Sequence, residues 1–271
     1  MDLQKIVKDI RGIIQHKDEP VNQLQLFDSE AAEIKKLLRQ EGCPICRIGD
    51  DAFEKKWFWF FHESYSERTG AAAYIDNYGF CEKHTIEVLK MGPKWQKSII
   101  YSLIIKYKLP KLEQLGNVLN RITLSQNRID IDPNRKELNG AIKQVLPAGG
   151  CLFCNSVEQT ERYYLKILLK SLNEPMMLEL FKASHGLCLK HYFIALEYTD
   201  PEYSEGLMEV TKHILPKIRE LKQSFDEFFR KSDYRFANEP KGDEQNAWLN
   251  AIRLFLGRTE DITIKEWEDT E

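Results

Sequence analysis

The 271-residue chain lacks long apolar runs and a strong net charge. No stretch approaches the ~18 uninterrupted apolar residues of a membrane-spanning helix, and residues 1–5 are charged where a secretory leader would be apolar. The 39 basic and 42 acidic residues leave a net charge of −3, so no general attraction to nucleic acid or anionic lipid is expected. These features predict a cytoplasmic protein without a membrane segment.

Sequence signals for common enzyme classes and for β-structure are also missing. The phosphate-binding G-x-x-x-x-G-K-[ST], the dinucleotide-binding G-x-G-x-x-G, the hydrolase G-x-S-x-G and the zinc-protease H-E-x-x-H do not occur. Alternation of apolar and polar residues, which would indicate strands, is almost absent. The sequence therefore favours a non-enzymatic helical protein, although an enzyme with an unrelated pocket stays open.

Cysteine is scarce, and all six cysteines belong to two copies of one motif. Each copy pairs a C-x-x-C with a C-x-K-H, at residues 43–46 and 81–84 in the first and at 151–154 and 188–191 in the second. The two halves of a copy are separated by 34 and 33 residues, so the spacing indicates a fixed geometry. The candidate ligand sets are Cys43, Cys46, Cys81 and His84 in the first copy and Cys151, Cys154, Cys188 and His191 in the second.

Three thiolates and one imidazole are a ligand set typical of a closed tetrahedral zinc site. We therefore expect two structural zinc ions per chain, one in each copy. Because four protein ligands leave no position for water or substrate, hydrolytic catalysis is disfavoured. A reducing compartment also disfavours three structural disulfides.

Two redox alternatives stay open for the same cysteines. Thiolates bind an iron–sulfur cluster equally well, and a histidine in place of one cysteine would raise its potential. A C-x-x-C can also be a redox-active dithiol, but here it follows a helix rather than the strand of a βαβ unit. Either alternative would make the protein a redox or electron-transfer protein.

Matches outside the ligands predict that the chain is duplicated. Gly42 and Gly150 precede the two C-x-x-C motifs, Gly79 and Gly186 precede the C-x-K-H motifs, and Pro110 is matched by Pro216. Apolar residues recur with helical periodicity between these points. We expect an all-α fold of two duplicated helical units, each pinned by its own Cys3His site at the starts of helices.

The predicted organisation has five parts. An N-terminal amphipathic helix (1–27) precedes metal-binding helical repeat 1 (28–124), and a polar linker (125–136) leads to repeat 2 (137–236). A C-terminal helix and acidic tail (237–271) follow. The long last helix of each repeat contains Pro110 or Pro216, which should kink or interrupt it.

Five consecutive aromatic residues, 57–61, form the second unusual feature. On a helix they cover every face, which favours a central helix buried between this unit and a neighbour. The alternative is that Trp57, Phe58 and Trp59 contribute to a surface for an apolar ligand or a partner helix.

A protein is the expected partner, and the oligomeric state is left open. One helix carries basic residues interleaved with tyrosines, but apolar and acidic neighbours dilute its charge, so we interpret it as a solvated face rather than a nucleic-acid site. Its residues are Lys94, Lys97, Lys106, Lys108, Lys111, Tyr101 and Tyr107.

The repeated motif resembles that of a set of uncharacterised bacterial proteins, frequent in anaerobes. These carry tandem CPxC and GFCxxH motifs on a helical scaffold, which match residues 43–46 and 79–84, and the resemblance extends from about residue 28 to residue 256. The second copy has Leu152 in place of the proline and Leu187 in place of the phenylalanine. The resemblance implies metal binding without an established activity, and an anaerobic setting would favour the iron–sulfur alternative.

Overall fold

The computed structural model describes residues 23–90, 94–124, 133–236 and 238–257, and within these ranges the fold is all-α, as predicted. These ranges form eleven α-helices and no strand. The helices are α1 (Gln23–Leu37), α2 (Pro44–Trp59), α3 (Arg68–Asp76), α4 (Glu82–Lys90), α5 (Lys94–Leu124), α6 (Pro133–Val145), α7 (Leu152–Ser171), α8 (Pro175–Ala183), α9 (Leu189–Ala195), α10 (Ser204–Lys231) and α11 (Ala247–Leu256).

Shorter helical turns connect these helices. A π-helical turn (Phe60–Ser64) continues α2, and 3₁₀ turns occupy Pro201–Tyr203, Tyr234–Phe236 and Asp243–Asn246. None of the described helices has the length and apolar content needed to cross a bilayer.

The chain divides into two compact units whose bounds differ from the predicted repeats. Unit 1 comprises Met1–Pro44 and Tyr164–Glu271, and unit 2 comprises Ile45–Tyr163. The chain passes from one unit to the other within α2 and again within α7. Residues 45–124 of the first repeat and the start of the second, to residue 163, therefore lie together in unit 2, whereas residues 28–44 of the first repeat belong to unit 1.

The predicted linker, residues 125–136, does not separate the units. Residues 125–132 lie outside the described residues, but Pro133 already begins α6, where its fixed φ suits the first helical position. Helices α5 and α6 pack against each other within unit 2, and Arg121 pairs with Glu137 between them. Most of the predicted N-terminal helix, residues 1–22, lies outside the described residues.

Unit 2 is built around an aromatic core. The ring of Phe153 lies 5.0 Å from the ring of Trp57 and 5.4 Å from that of Phe60, centroid to centroid. Helix α3 closes this core, since the buried Tyr74 hydroxyl donates to the carbonyl of Tyr65 at 2.7 Å. Burial raises the pKa of Tyr74 to about 12, so it stays a neutral donor.

Unit 1 has an aliphatic core along α7. Leu165, Leu168 and Leu169 are buried on this helix, and Leu172, directly after it, is buried as well. Helix α10 crosses it closely at Gly206, where an added Cβ would lie 2.0 Å from the carbonyl oxygen of Leu169. Helix α11 packs against both α9 and α10.

The two internal prolines do not interrupt their helices. Pro110 lies inside α5 and Pro216 inside α10, and both helices continue for more than a dozen residues beyond. Each proline removes one backbone hydrogen bond, but tertiary packing of the helix face offsets that loss.

The crossing at Gly206 generates a stability prediction. Gly206→Ala forces the Leu169 backbone to move, so we expect the free energy of unfolding to fall by about 2–3 kcal/mol. Gly140→Ala is the matched control, because its Cβ meets nothing within 4 Å in α6 and should raise stability by about 0.5–1 kcal/mol. Urea denaturation of both variants measures the difference, and equal effects would contradict the described crossing.

Candidate metal centres

The eight candidate ligands all lie at the starts of helices, as predicted. Each half-site puts a cysteine directly before a helix and the second ligand at the third helical position, at the N-termini of α2, α4, α7 and α9. The carbonyls of Cys81, Cys151 and Cys188 accept the first helical hydrogen bonds, at 2.8–2.9 Å. Because helix N-termini carry a partial positive charge, this placement stabilises thiolates.

Glycines with positive φ shape the turn before each half-site. Gly42 and Gly150 (φ 83° and 66°) directly precede the C-x-x-C motifs, and Gly79 and Gly186 (φ 113° and 75°) stand two residues before the C-x-K-H cysteines. The backbone in this region excludes most other residues. The glycines found by sequence comparison thus have a local structural role.

The structure groups the ligands differently from the sequence-based expectation. Metal site A consists of Cys43, Cys46, Cys188 and His191, and metal site B consists of Cys81, His84, Cys151 and Cys154. Each C-x-x-C meets the C-x-K-H of the other copy. The prediction that Cys43, Cys46, Cys81 and His84 share one ion, with the second copy forming its own site, is therefore wrong.

The donor atoms of each site have the spacing of a single tetrahedral ion. Within each site all four donor atoms lie within 4.8 Å of one another. In site B the Cys81 and Cys154 sulfurs are 3.7 Å apart, and the three sulfurs lie 3.2–3.4 Å from His84 Nδ1. In site A the sulfurs of Cys43 and Cys188 lie 3.4 and 3.2 Å from His191 Nδ1.

Zinc–ligand bond lengths allow a direct comparison. Zn–S bonds of about 2.3 Å and Zn–N bonds of about 2.0–2.1 Å place tetrahedral sulfur pairs about 3.8 Å apart and sulfur–nitrogen pairs about 3.6 Å apart. The donor spacings are within a few tenths of an ångström of these values. None of the six cysteines forms a disulfide.

The two sites differ in exposure. In site A, Cys43, Cys188 and His191 are fully buried and Cys46 is half-buried, whereas in site B Cys81 is half-buried and Cys154 is exposed. Site B is therefore open to solvent on the side of Cys154. Water, chelators and oxidants should reach it before they reach site A.

Electrostatics in site B favour a neutral His84 imidazole and shift the thiol pKa values of Cys81 and Cys154 in opposite directions. Burial, with the charge of Lys83, lowers the pKa of His84. Burial alone would raise the pKa of Cys81, but the His84 backbone N–H, the neighbouring thiols and Lys83 lower it. Burial and the interactions with Cys81 and Cys151 raise the pKa of Cys154 to about 12. A cation bound in the site would stabilise the thiolate forms of these cysteines.

Phe153 is the residue that brings the second C-x-x-C to the first C-x-K-H. It lies between Cys151 and Cys154 and is completely buried. Its ring contacts Trp57, Phe80 and His84, with centroid distances of 5.0, 5.1 and 5.5 Å. Insertion of this ring into the aromatic core of unit 2 fixes the position of both neighbouring cysteines.

Backbone hydrogen bonds support the same arrangement. The N–H of Gly149 donates to the side chain of Asn77 at 2.8 Å, and the N–H of Ala148 donates to the carbonyl of Asp76 at 3.2 Å. These bonds join the turn before Cys151 to the turn before Cys81. At site A, the N–H of Cys43 donates to the carbonyl of Gly257 at 2.6 Å, at the end of α11.

Two lysines position the C-x-K-H turns, and sequence reasoning missed them. Lys108, only 3% exposed, donates to the carbonyl of Asp76 at 3.2 Å and lies over the ring of Tyr78. Lys217 donates to the carbonyl of His185 at 2.7 Å. The interpretation of Lys108 as part of a solvated face is thus wrong; its apolar neighbours Ile104 and Leu115 on the same side of α5 were the available signal.

The aromatic run divides between core and surface. Trp57, Phe60 and Phe61 are buried, but Phe58 and Trp59 are 51% and 54% exposed. Complete burial of this helix, the favoured interpretation, is not found because five consecutive positions surround the helix axis. Trp57 belongs to the core, and only Phe58 and Trp59 remain available to a partner or ligand.

The grouping generates a labelling prediction. In protein purified with its metal, Cys188→Ser should weaken site A and make Cys43 and Cys46 reactive toward a thiol-alkylating reagent, because their coordination shell loses a thiolate. Site B should stay protected. Peptide mapping by mass spectrometry identifies the modified cysteines.

Cys81→Ser provides the matched reverse variant. It should make Cys151 and Cys154 reactive and leave site A protected. If Cys188→Ser instead made Cys151 and Cys154 reactive, the described sites would be contradicted, and each copy of the motif would form its own site.

Comparison with known proteins identifies the family to which the chain belongs. No curated protein and no solved structure matches the chain. A sequence model described as a family of unknown function (DUF6062) matches residues 33–261, which is most of the chain and contains all eight candidate ligands. The bacterial origin implied by the motif resemblance stays a prediction. The chain belongs to the DUF6062 family.

Proposed function

We propose that the protein is a non-enzymatic zinc protein that binds two structural zinc ions, one at site A and one at site B, and serves as an interaction or adaptor protein. The observation that carries the metal part is the tetrahedral spacing of the four donor atoms at each site. Bound zinc would offset two of the three thiolate charges and tie two helix N-termini together at each site.

The donor spacing supports a single ion over a cluster. An iron–sulfur cluster of two or four irons spreads its protein ligands over different irons, which separates them more than the ligands of one ion. Here every donor atom of a site lies within 4.8 Å of the others. The closed shell of four protein donors supports a structural role, because it leaves no position for a substrate.

The interaction part rests on the half-exposed aromatic pair of α2. Phe58 and Trp59 contact each other edge to face at 5.5 Å, and Phe58 stacks on His62 at 4.0 Å. Their backbone is held by the buried Trp57 and Phe60 on the same helix. Two exposed aromatic rings on a rigid helix are typical of protein contact surfaces.

Metal analysis tests the identity of the ions. Protein purified without oxygen should contain two zinc ions per chain and show no visible absorbance. Iron with acid-labile sulfide would contradict the zinc proposal and support the redox alternative. Iron without sulfide would keep the single-ion geometry and contradict only the choice of metal.

The exposure of Cys154 predicts two kinetic phases of zinc release. A metallochromic chelator should remove the ion of site B first, since Cys154 is exposed, and the ion of site A, which has no exposed ligand, at least tenfold more slowly. Cys154→Ser should abolish the fast phase and leave the slow one. A single phase for both ions would contradict the difference between the sites.

The aromatic pair can be tested separately from the fold. The Phe58→Ser/Trp59→Ser variant should keep its zinc and lose less than about 1 kcal/mol of stability, because both side chains are half-exposed. Trp57→Ala, the buried control, should cost about 3–5 kcal/mol. Cross-linking of intact cells should yield an adduct with the wild type that the double variant loses; unchanged adducts would exclude this surface.

A further inference from the structure

Helix α5 exposes an apolar stripe with the spacing of a coiled-coil seam. Ile105, Leu109 and Leu112 are 61%, 48% and 44% exposed, and Gly116 follows at the next position of the same stripe. Successive residues of the stripe are four, three and four positions apart, as in a coiled-coil heptad. Ile105 and Leu112 therefore take d positions, and Leu109 and Gly116 take a positions. The buried face of α5, with Ile100, Ile104 and Val118, lies beside this stripe and already packs in unit 2.

The stripe is complementary to the same stripe on a second copy of the chain when the two helices run antiparallel. If two copies of α5 run antiparallel with Leu109 opposite Leu112, then Ile105 faces Gly116 of the second copy. Two Leu109–Leu112 pairs therefore occupy the centre of the interface. On each side of the centre, Ile105 of one copy faces Gly116 of the other. A Cβ added to Gly116 would meet nothing within 4 Å, so the space above it is open to such a side chain.

The charges that flank the stripe are also complementary in this orientation. Lys106 and Glu113 occupy the positions directly after Ile105 and Leu112, where facing helices exchange ion pairs. Antiparallel pairing brings Lys106 of each copy near Glu113 of the other. In a parallel pair, where e positions face g positions, Lys106 would instead face Tyr101, and Glu113 would face the buried Lys108, which donates to the carbonyl of Asp76.

The corresponding helix of the second copy lacks these properties. With Pro216 aligned to Pro110, the positions of Lys106 and Glu113 in α10 are Lys212 and Arg219, two basic residues that would repel across the same interface. Gly116 corresponds to Lys222, whose charge pairs with Asp226 within α10. The self-complementary pattern is therefore specific to α5.

From this pattern we propose that the protein forms a twofold-symmetric homodimer in which α5 of one chain packs antiparallel against α5 of a second copy. The interface is centred between Leu109 and Leu112 and is flanked by two ion pairs between Lys106 and Glu113. It is independent of the zinc proposal, because no metal ligand belongs to α5.

Sedimentation equilibrium of the full-length protein tests the dimer. Leu112→Glu changes an exposed residue twice in the symmetric interface and should weaken dimerisation by at least about 100-fold. Lys106→Glu alone should weaken it about tenfold, and so should Glu113→Lys, because each creates two like-charge contacts. The double variant Lys106→Glu/Glu113→Lys should restore the wild-type dissociation constant to within about threefold.

Two controls keep the test specific. Lys212→Glu on α10 and Ile10→Glu in the N-terminal segment should leave the dissociation constant unchanged, and circular dichroism should show the same helical content in every variant. A wild-type protein that stays monomeric at about 0.1 mM would overturn the proposal. So would a double charge variant that fails to recover, or a dimer that only Ile10→Glu dissociates.

Discussion

The exchange of half-sites between the two copies of the motif is the constraint on which the arrangement of the chain depends. Site B joins the C-x-K-H at 81–84 to the C-x-x-C at 151–154, and site A joins 43–46 to 188–191. In chain order the two closures are nested: the segment closed by site B lies inside the one closed by site A. Four helix N-termini meet in two pairs at these sites, and neither copy of the motif forms a site alone.

Chain entropy does not favour this nesting, but its cost is small. Closure within each copy would enclose 34 or 33 residues, whereas site B encloses 66 and site A 141. Since each doubling of a loop costs about 0.6 kcal/mol, the longer closures cost about 2 kcal/mol together. Burial of one phenylalanine side chain contributes a comparable amount, about 1.5–3 kcal/mol. The completely buried ring of Phe153, in contact with Trp57 and Phe80, is sufficient to decide which half-sites meet.

The sequence predicted the local features well and the long-range ones poorly. Helical periodicity identified the all-α fold, and motif spacing identified the eight candidate ligands and their placement at helix starts, because these depend on neighbouring residues. The grouping of the ligands depends on packing between residues far apart, such as Phe153 and Trp57, and periodicity carries no signal for it. Pro110 and Lys108 show the same limit. Tertiary contacts of α5 override the helix-breaking tendency of Pro110 and bury the charge of Lys108.

Heteronuclear NMR of cadmium-substituted protein tests the exchange of half-sites most directly, because each cadmium couples through its bonds to the β-protons of the cysteines that bind it. The account predicts one cadmium signal that correlates with Cys43, Cys46 and Cys188, and a second that correlates with Cys81, Cys151 and Cys154. A signal that correlates with Cys43, Cys46 and Cys81 would contradict it and show that each copy of the motif binds its own ion.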